Sequence, residues 1–183
     1  MGMAAPIYYT ADMVRALPDD GNRYEVVYGE LLVTPAPRAW HQAVVLNLAT
    51  ALRDFLRRHP VAGVVFTSPA DISWSPDVLV QPDVFVVAAE EGRTLDWGRM
   101  QTLPLVAEVL SPTTARSDRF LKRLRYREAG VGCYWIVDPD ERVVEVWTPS
   151  DEFPAVERER LVWQPAGAGE AFVMEFGELF RAV

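Results

Sequence analysis

The chain has 183 residues, of which 50% are hydrophobic and 11% aromatic; this composition suits a single domain with a substantial core and excludes a disordered chain. The net charge of -8 excludes a protein that coats nucleic acid through a broad basic surface, so any such contact is expected to be local and metal-assisted. A lone cysteine, Cys133, excludes a disulfide framework and a zinc cluster. A reducing cytoplasm is therefore the expected compartment, and residues 1–6 carry neither a signal peptide nor a membrane span.

The N-terminal part predicts a short helix followed by a β-hairpin. The helix is predicted over residues 11–17, and the hairpin runs from Tyr24 to Thr34. Its two strands are expected to join at Tyr28-Gly29, because glycine supplies the unusual backbone angles of a tight turn. Either Glu25 or Glu30 is expected to face inward.

A long amphipathic helix is predicted next, over Ala39 to Arg58, with His41 in its first turn. Strands are expected within 61–74 and as one run from Leu79 to Val87. The charged, glycine-containing stretch Ala89 to Thr102 is predicted to be a mobile loop. The apolar stripe of the helix comprises Val44, Val45, Leu48, Leu52, Phe55 and Leu56.

A strand from Leu105 to Leu110 and a helix from Ser117 to Ala129 follow. The four-residue spacing of Asp118, Lys122 and Tyr126 predicts that all three lie on one face of that helix. The other face is formed by Phe120, Leu121 and Leu124. The six basic side chains around this helix are either a solvated face or a local patch that meets phosphate. They are Arg116, Arg119, Lys122, Arg123, Arg125 and Arg127.

The remaining chain predicts a buried strand over Cys133 to Asp138 and an exposed, alternating strand over Val143 to Trp147. The latter strand and the region of Trp163 are expected to offer sheet edges that a partner covers, which favours a homodimer. No repeat or linker is visible. The predicted fold is therefore a single α/β domain, residues 1–183, with a mixed central sheet flanked by helices.

Two carboxylates interrupt short apolar runs: Asp83 follows Gln81-Pro82, and Glu108 lies within the strand that ends near Val109. Burying such an acid as the anion costs several kcal/mol unless something charged binds there. Oxygen ligands from Asp83, Glu108 and the Val109 carbonyl suit Mg²⁺ or Mn²⁺, and Lys122 beside them suits a phosphate. These residue types are typical of phosphodiester hydrolysis.

The order of hairpin, helix, Pro-Asp strand, Glu-containing strand and lysine-bearing helix resembles the restriction-endonuclease-like nucleases with a PD-(D/E)xK motif. More narrowly, residues 10–150 resemble the Uma-type family of endonucleases. The motifs that carry this resemblance are Gly29-Glu30-Leu31, Pro35-Ala36-Pro37, His41-Gln42, Gln81-Pro82-Asp83, Glu108-Val109-Leu110-Ser111-Pro112 and Tyr134-Trp135-Ile136-Val137-Asp138-Pro139.

This resemblance implies a DNA substrate, a divalent cation and a catalytic set of Asp83, Glu108 and Lys122. Leu110 stands where the general motif has its lysine, two residues after Glu108, and Lys122 is implied to replace it. The resemblance also favours Glu30 for orienting a metal-bound water. Three further residues are possible accessories, namely His41, Tyr126 and Asp118.

Each assignment has a structural alternative. Asp83 could cap a neighbouring element, and Glu108 could belong to a buried ion pair. Lys122 could be a solvated helix lysine that pairs with Asp118, four residues earlier. His41 is also typical of a histidine in a first helical turn that lies at the surface, or of a core histidine whose hydrogen bonds are satisfied. At the level of the whole protein, the alternative is a catalytically inactive nuclease-like module for oligomerisation or regulation.

Two expectations concern variants. If the acids are held together without metal, their repulsion raises at least one carboxyl pKa, and Asp83→Asn leaves the metal-free protein as stable as before or more stable. Lys122→Met is expected to abolish cleavage and to leave the fold intact, because the replacement keeps apolar volume and removes only the charge.

Overall fold

The computed structural model describes residues 7–182; the N-terminal segment Met1–Pro6, for which no leader was expected, lies outside them. Five α-helices are found in this range: α1 Ala11–Arg15, α2 Ala39–Arg58, α3 Ala89–Gly92, α4 Arg123–Glu128 and α5 Phe176–Leu179. A 3-10 helix spans Trp97–Arg99, and a π-helix spans Ser117–Lys122 and continues directly into α4.

Twelve strands accompany these helices within residues 7–182. They are β1 Arg23–Val27, β2 Glu30–Thr34, β3 Val64–Thr67, β4 Ile72–Ser75, β5 Val78–Val80, β6 Val84–Val87, β7 Leu105–Val109, β8 Tyr134–Asp138, β9 Val143–Trp147, β10 Ala155–Glu157, β11 Arg160–Trp163 and β12 Phe172–Glu175.

The strands form a six-stranded sheet with the order β10-β9-β8-β7-β6-β3, a four-stranded sheet with the order β2-β1-β5-β4, and the pair β11-β12. Only β7 and β8 pair in parallel among the described ladders, so the large sheet is mixed. Its parallel connection runs through the π-helix and α4, as a crossover between parallel strands requires. The predicted α/β class with a mixed central sheet is confirmed.

Two core layers cover the faces of the six-stranded sheet. On one face α2 packs its predicted apolar stripe, all buried, together with β11, β12 and α5. On the other face the four-stranded sheet and Tyr126 of α4 form the second layer. Alternate residues of β6 divide between the layers: Val84 and Val86 face α2, whereas Phe85 and Val87 face the smaller sheet.

The hairpin and the first two helices follow the sequence closely. Tyr28 and Gly29 have φ values of 53° and 77°, as a two-residue turn with positive φ at both positions requires. A Cβ at Gly29 would also overlap the ring of Tyr8. The Thr10 hydroxyl caps α1 by accepting from the Met13 amide at 3.3 Å.

Three expectations from the sequence are wrong. The run from Leu79 to Val87 is two strands rather than one, because Gln81-Pro82-Asp83 carries the chain from the four-stranded to the six-stranded sheet. The stretch Ala89 to Thr102, predicted as a loop, holds a short α-helix and a 3-10 helix, while its mobility stays a prediction. Glu91 anchors this stretch. Its carboxylate accepts hydrogen bonds from the Gln101 amide and the Thr102 amide, both at 2.8 Å, and from the Thr102 hydroxyl at 2.7 Å.

The third concerns the predicted edge strand Val143–Trp147. This strand, β9, pairs with β8 on one side and with β10 on the other, so β10 is the edge of the large sheet. Trp163 is buried at 7% exposure, but its strand β11 pairs only with β12 among the described strands, so an edge is present in this region. Among residues 7–182, none of the helices has both the length and the hydrophobicity needed to cross a bilayer.

Candidate active site

The candidate site lies where the two sheets meet the π-helix. Asp83 immediately precedes β6, and the register that pairs Val84 with Ala107 continues to place Asp83 opposite Glu108. Asp83 lies two residues before Phe85, and Glu108 lies two residues after Val106; both of these core residues belong to the layer that faces the four-stranded sheet. Residues two apart in a strand share a face, so the two acids point to the same side. Their predicted proximity on neighbouring strands is thus present.

Lys122 is the centre of the buried half of the site. Its Nζ lies 2.8 Å from Glu25 Oε2, 3.1 Å from Glu108 Oε1 and 3.3 Å from Asp118 Oδ1. The Tyr126 hydroxyl donates to the same Glu108 oxygen at 2.8 Å. None of the four charged side chains exceeds 2% exposure. Because an isolated buried ion is costly, each charge here depends on the others.

The helix that carries Lys122 has its polar face inside. Asp118, Lys122 and Tyr126 share one face, as predicted, and that face is buried, whereas Phe120 is 68% and Leu124 43% exposed. This reverses ordinary amphipathicity, and it is stable because the inward charges find partners. The first part of the helix, residues 117–122, is π-helical, a rare geometry that is frequent at functional sites.

Asp83 is the centre of the other half. Its Oδ1 accepts from Arg23 Nη1 at 2.7 Å, and its Oδ2 lies 3.1 Å from His41 Nε2 and 2.9 Å from the Val109 amide nitrogen. Arg23 Nε is also 3.8 Å from Glu25 Oε2, so Arg23 joins the two halves. The Val109 contact is through its amide; a metal-binding role for its carbonyl stays a prediction.

The two strand acids have opposite electrostatic environments. Burial raises the pKa of Glu108 to about 8, against the opposing charge of Lys122 and with the help of the nearby carboxylate of Asp83. For Asp83, burial alone would raise the pKa, but the hydrogen bond with His41 and the charge of Arg23 hold the pKa below its usual range. Burial is also the largest cause that raises the pKa of Asp118, so burial contributes more to the raised carboxyl pKa values than the expected mutual repulsion does.

The charge balance and the spare lone pairs of the site suit a divalent cation. When ionised, the four carboxylates of Glu25, Asp83, Glu108 and Asp118 face two permanent cations, Lys122 and Arg23, which leaves an excess of negative charge. Two buried oxygens, Glu25 Oε2 and Asp118 Oδ1, face the Lys122 ammonium at 2.8 and 3.3 Å but accept no hydrogen bond of good geometry within the described part of the chain. Carboxylate oxygens of this kind are the ligands that Mg²⁺ and Mn²⁺ take.

In the present conformation, residues 7–182 contain no group of three or more His, Cys, Asp or Glu side chains arranged to hold a metal ion. The reason is visible in the contacts, since the Lys122 ammonium lies among the acids of one half and the Arg23 guanidinium against Asp83 of the other.

A cleft of about 910 Å³ opens onto one side of the site. Arg23, His41 and Asp83 line it, whereas Glu108 and Lys122 lie behind them and are not part of its wall. The site therefore has an accessible front and a buried back.

The structure does not bring Glu30 into this cluster. Glu30 is exposed at the start of β2, and its carboxylate makes no hydrogen bond or ion pair with any described residue. Glu25, the other acid of the hairpin, contacts Lys122. Arg23 was missed altogether. The signal available for it was the period of two in β1, which places Arg23, Glu25 and the core residue Val27 on one face.

Comparison with known proteins agrees with this architecture. Residues 11–167 match the model of the Uma2 family, described as "Putative restriction endonuclease". A crystal structure of a "putative nuclease belonging to DUF820" from Anabaena variabilis superposes with a TM-score of 0.77 at 22% sequence identity, over 94% of this chain and 97% of that one. No curated protein matches the chain. With most of its length covered by the family model, this protein belongs to the Uma2 family.

Proposed function

We propose that this protein is a metal-dependent endonuclease that hydrolyses phosphodiester bonds in DNA, with Mg²⁺ or Mn²⁺ as its cation. The observation that carries the proposal is the buried excess of carboxylates around Lys122 beside an open cleft. Structural ion pairs do not need more acids than bases, whereas a cation site does. Membership of the Uma2 family supports the same reaction class.

In this proposal Asp83 and Glu108 hold the cation, together with the Val109 carbonyl. When bound, the cation supplies charge stabilisation at the phosphate and a water of lowered pKa. Lys122 contributes a fixed positive charge next to Glu108, which favours the extra negative charge of the reacting phosphate. Tyr126 orients Glu108 through its hydrogen bond to Oε1.

The remaining predicted residues take supporting roles. His41 positions Asp83 and presents its ring to the cleft, and Asp118 helps to hold the Lys122 ammonium. The water-orienting role that the resemblance assigns to Glu30 suits Glu25 better, because Glu25 is the hairpin acid that contacts Lys122.

One observation favours the alternative, a nuclease-like module without catalysis. Lys122 is 1% exposed and paired with three acids, so its charge is already neutralised without any substrate. In that case the cluster is a structural ion network. A homodimer, in the cytoplasm, remains part of both proposals; on the side of β9, the edge strand available to a partner is β10.

The deciding experiment measures cleavage of single-stranded, duplex and branched DNA with Mg²⁺, with Mn²⁺ and with chelator. Glu108→Gln should lower the cleavage rate by at least about a hundredfold, as expected for loss of a ligand that stabilises the reacting charge. Glu30→Gln is the matched control, since this glutamate is exposed, and it should cleave like the wild type. Metal-independent cleavage would contradict the proposed role of the cation, and no cleavage of any of these substrates would favour the alternative.

A further inference from the structure

Arg23 lies at the boundary between the cleft and the buried acids. Its side chain is 19% exposed and lines the cleft, whereas Glu25 behind it is fully buried. Nη1 donates to Asp83 Oδ1 at 2.7 Å, to the Gln81 carbonyl at 3.2 Å and to Ser68 Oγ at 3.4 Å. Arg23 therefore bridges an acid of the accessible half and an acid of the buried half.

These contacts engage both carboxylate oxygens of Asp83. One of its oxygens accepts from Arg23, and the other faces both His41 and the Val109 amide. Placing two cations on one buried carboxylate has a high electrostatic free energy, because like charges a few ångström apart repel strongly where water is excluded. A divalent cation and the Arg23 guanidinium therefore compete for Asp83.

The fit of the guanidinium is also incomplete. Arg23 Nε is buried and has no hydrogen-bond partner among the described residues, and the oxygen closest to it, Glu25 Oε2, lies 3.8 Å away. An arginine that served only to hold the two sheets together would be expected to use its donors fully. The unmatched donor indicates a contact that is made in one state of the site and given up in another.

We propose that Arg23 is a resident counter-cation, which occupies the Asp83 carboxylate in the metal-free protein and must leave it when a divalent cation binds. The inference rests on the proposed function, because it assumes a cation at Asp83. Once released, the guanidinium faces the cleft, where its planar fork suits a phosphate. Arg23 thus lowers metal affinity in the empty protein and offers a phosphate contact in the loaded one.

The test is a Mn²⁺ titration of the full chain without DNA, in which free Mn²⁺ is followed by its electron paramagnetic resonance signal. Arg23→Ala should bind Mn²⁺ on the order of tenfold more tightly than the wild type, a coupling within the usual range for two competing ligands. Arg15→Ala is the matched control, because Arg15 lines the same cleft but pairs with Asp12 and Asp71 instead of Asp83. Equal or weaker Mn²⁺ binding by Arg23→Ala would overturn the proposal.

A second measurement excludes a merely structural effect. Methylguanidinium added to Arg23→Ala should fill the space left by the side chain and weaken Mn²⁺ binding, whereas the wild type should not respond. If Arg23→Ala does not fold in chelator, Arg23→Lys replaces it. Its ammonium lacks the guanidinium fork, so a severalfold gain in Mn²⁺ affinity is expected. Wild-type affinity in Arg23→Lys, or no effect of methylguanidinium, counts against the proposal.

Failure of this inference and failure of the proposed function are distinguishable through Asp83→Asn. If that variant loses Mn²⁺ binding while Arg23→Ala keeps wild-type affinity, only the role of Arg23 is wrong. If Asp83→Asn binds Mn²⁺ as the wild type does, the cation does not use Asp83 and the proposed site itself is wrong.

Discussion

The substitution Asp83→Asn separates the structure from the expectation based on sequence. Repulsion among three acids predicts that the change is neutral or stabilising without metal. The observed contacts predict the opposite, because Asp83 is 2% exposed and faces Arg23 and His41 rather than only other acids. An asparagine in its place cannot accept as strongly from the guanidinium and leaves that buried charge less compensated.

The magnitude follows from the burial of the pair. Breaking a buried ion pair by removing one partner costs about 3 kcal/mol or somewhat more. In a chain of this length, that corresponds to a fall in the melting temperature of roughly 6 to 12 °C. Glu108→Gln is the matched comparison, because Glu108 is buried to the same degree but has a raised pKa, and Lys122 keeps two further acids. Its cost near neutral pH should stay below about 1 kcal/mol.

The assay is thermal and urea unfolding of both variants and the wild type in chelator at pH 7, so that no cation contributes. Asp83→Asn should be clearly the less stable variant. Equal stability of Asp83→Asn and the wild type would refute the view that Asp83 is held by Arg23 and His41, and it would restore the picture of a strained cluster of like charges.

Four further predictions concern the charges of the site and the segment after β6. Because the pKa of Glu108 is raised from an ordinary value of 4.5 to about 8, its contribution to stability is complete at low pH and is lost as the pH rises through 8. Urea melts in chelator should therefore show the wild type losing stability from pH 5 to 8 relative to Glu108→Gln; parallel curves would contradict this. The same proton should be released when Mn²⁺ binds at pH 7, so calorimetric binding enthalpies should differ between buffers of different ionisation enthalpy, and identical enthalpies would count against a cation at Glu108. Lys122→Met, expected from sequence to keep the fold intact, should instead lose about 3 to 5 kcal/mol in chelator, because three buried acids lose their shared partner; a wild-type melting temperature would show that those acids are protonated or hydrated. Finally, Glu91→Ala should speed hydrogen exchange across residues 93–102 while the core stays protected, since this carboxylate is the anchor of that segment; unchanged exchange would place the anchor elsewhere.

Local patterns account for the elements that the sequence predicted well. The long helix Ala39–Arg58 appears with the predicted bounds because its apolar stripe has the helical period over five turns. The turn at Tyr28-Gly29 has the predicted form because few residues tolerate its backbone angles. The common face of Asp118, Lys122 and Tyr126 needed only their spacing, whereas its burial did not follow from the spacing.

The predictions that failed depended on which strand lies beside which. The sequence predicts one continuous strand after Leu79, because a change of sheet at Pro82 leaves no mark in the local period of hydrophobicity. Likewise the alternation of Val143–Trp147 indicates one half-exposed face but does not reveal that β10 pairs with its edge.

The sequence by itself therefore determined the long helix, the hairpin and the candidate acids Asp83 and Glu108, because each depends on neighbours within a few residues. Tertiary structure alone decided which acid of the hairpin joins Lys122, and it selected Glu25 rather than Glu30. It also decided that Arg23 and His41 meet at Asp83, across separations of 60 and 42 residues. The physical reason is that a charge in the interior is stable only with its partners, and those partners are supplied by distant segments that the sheets bring together.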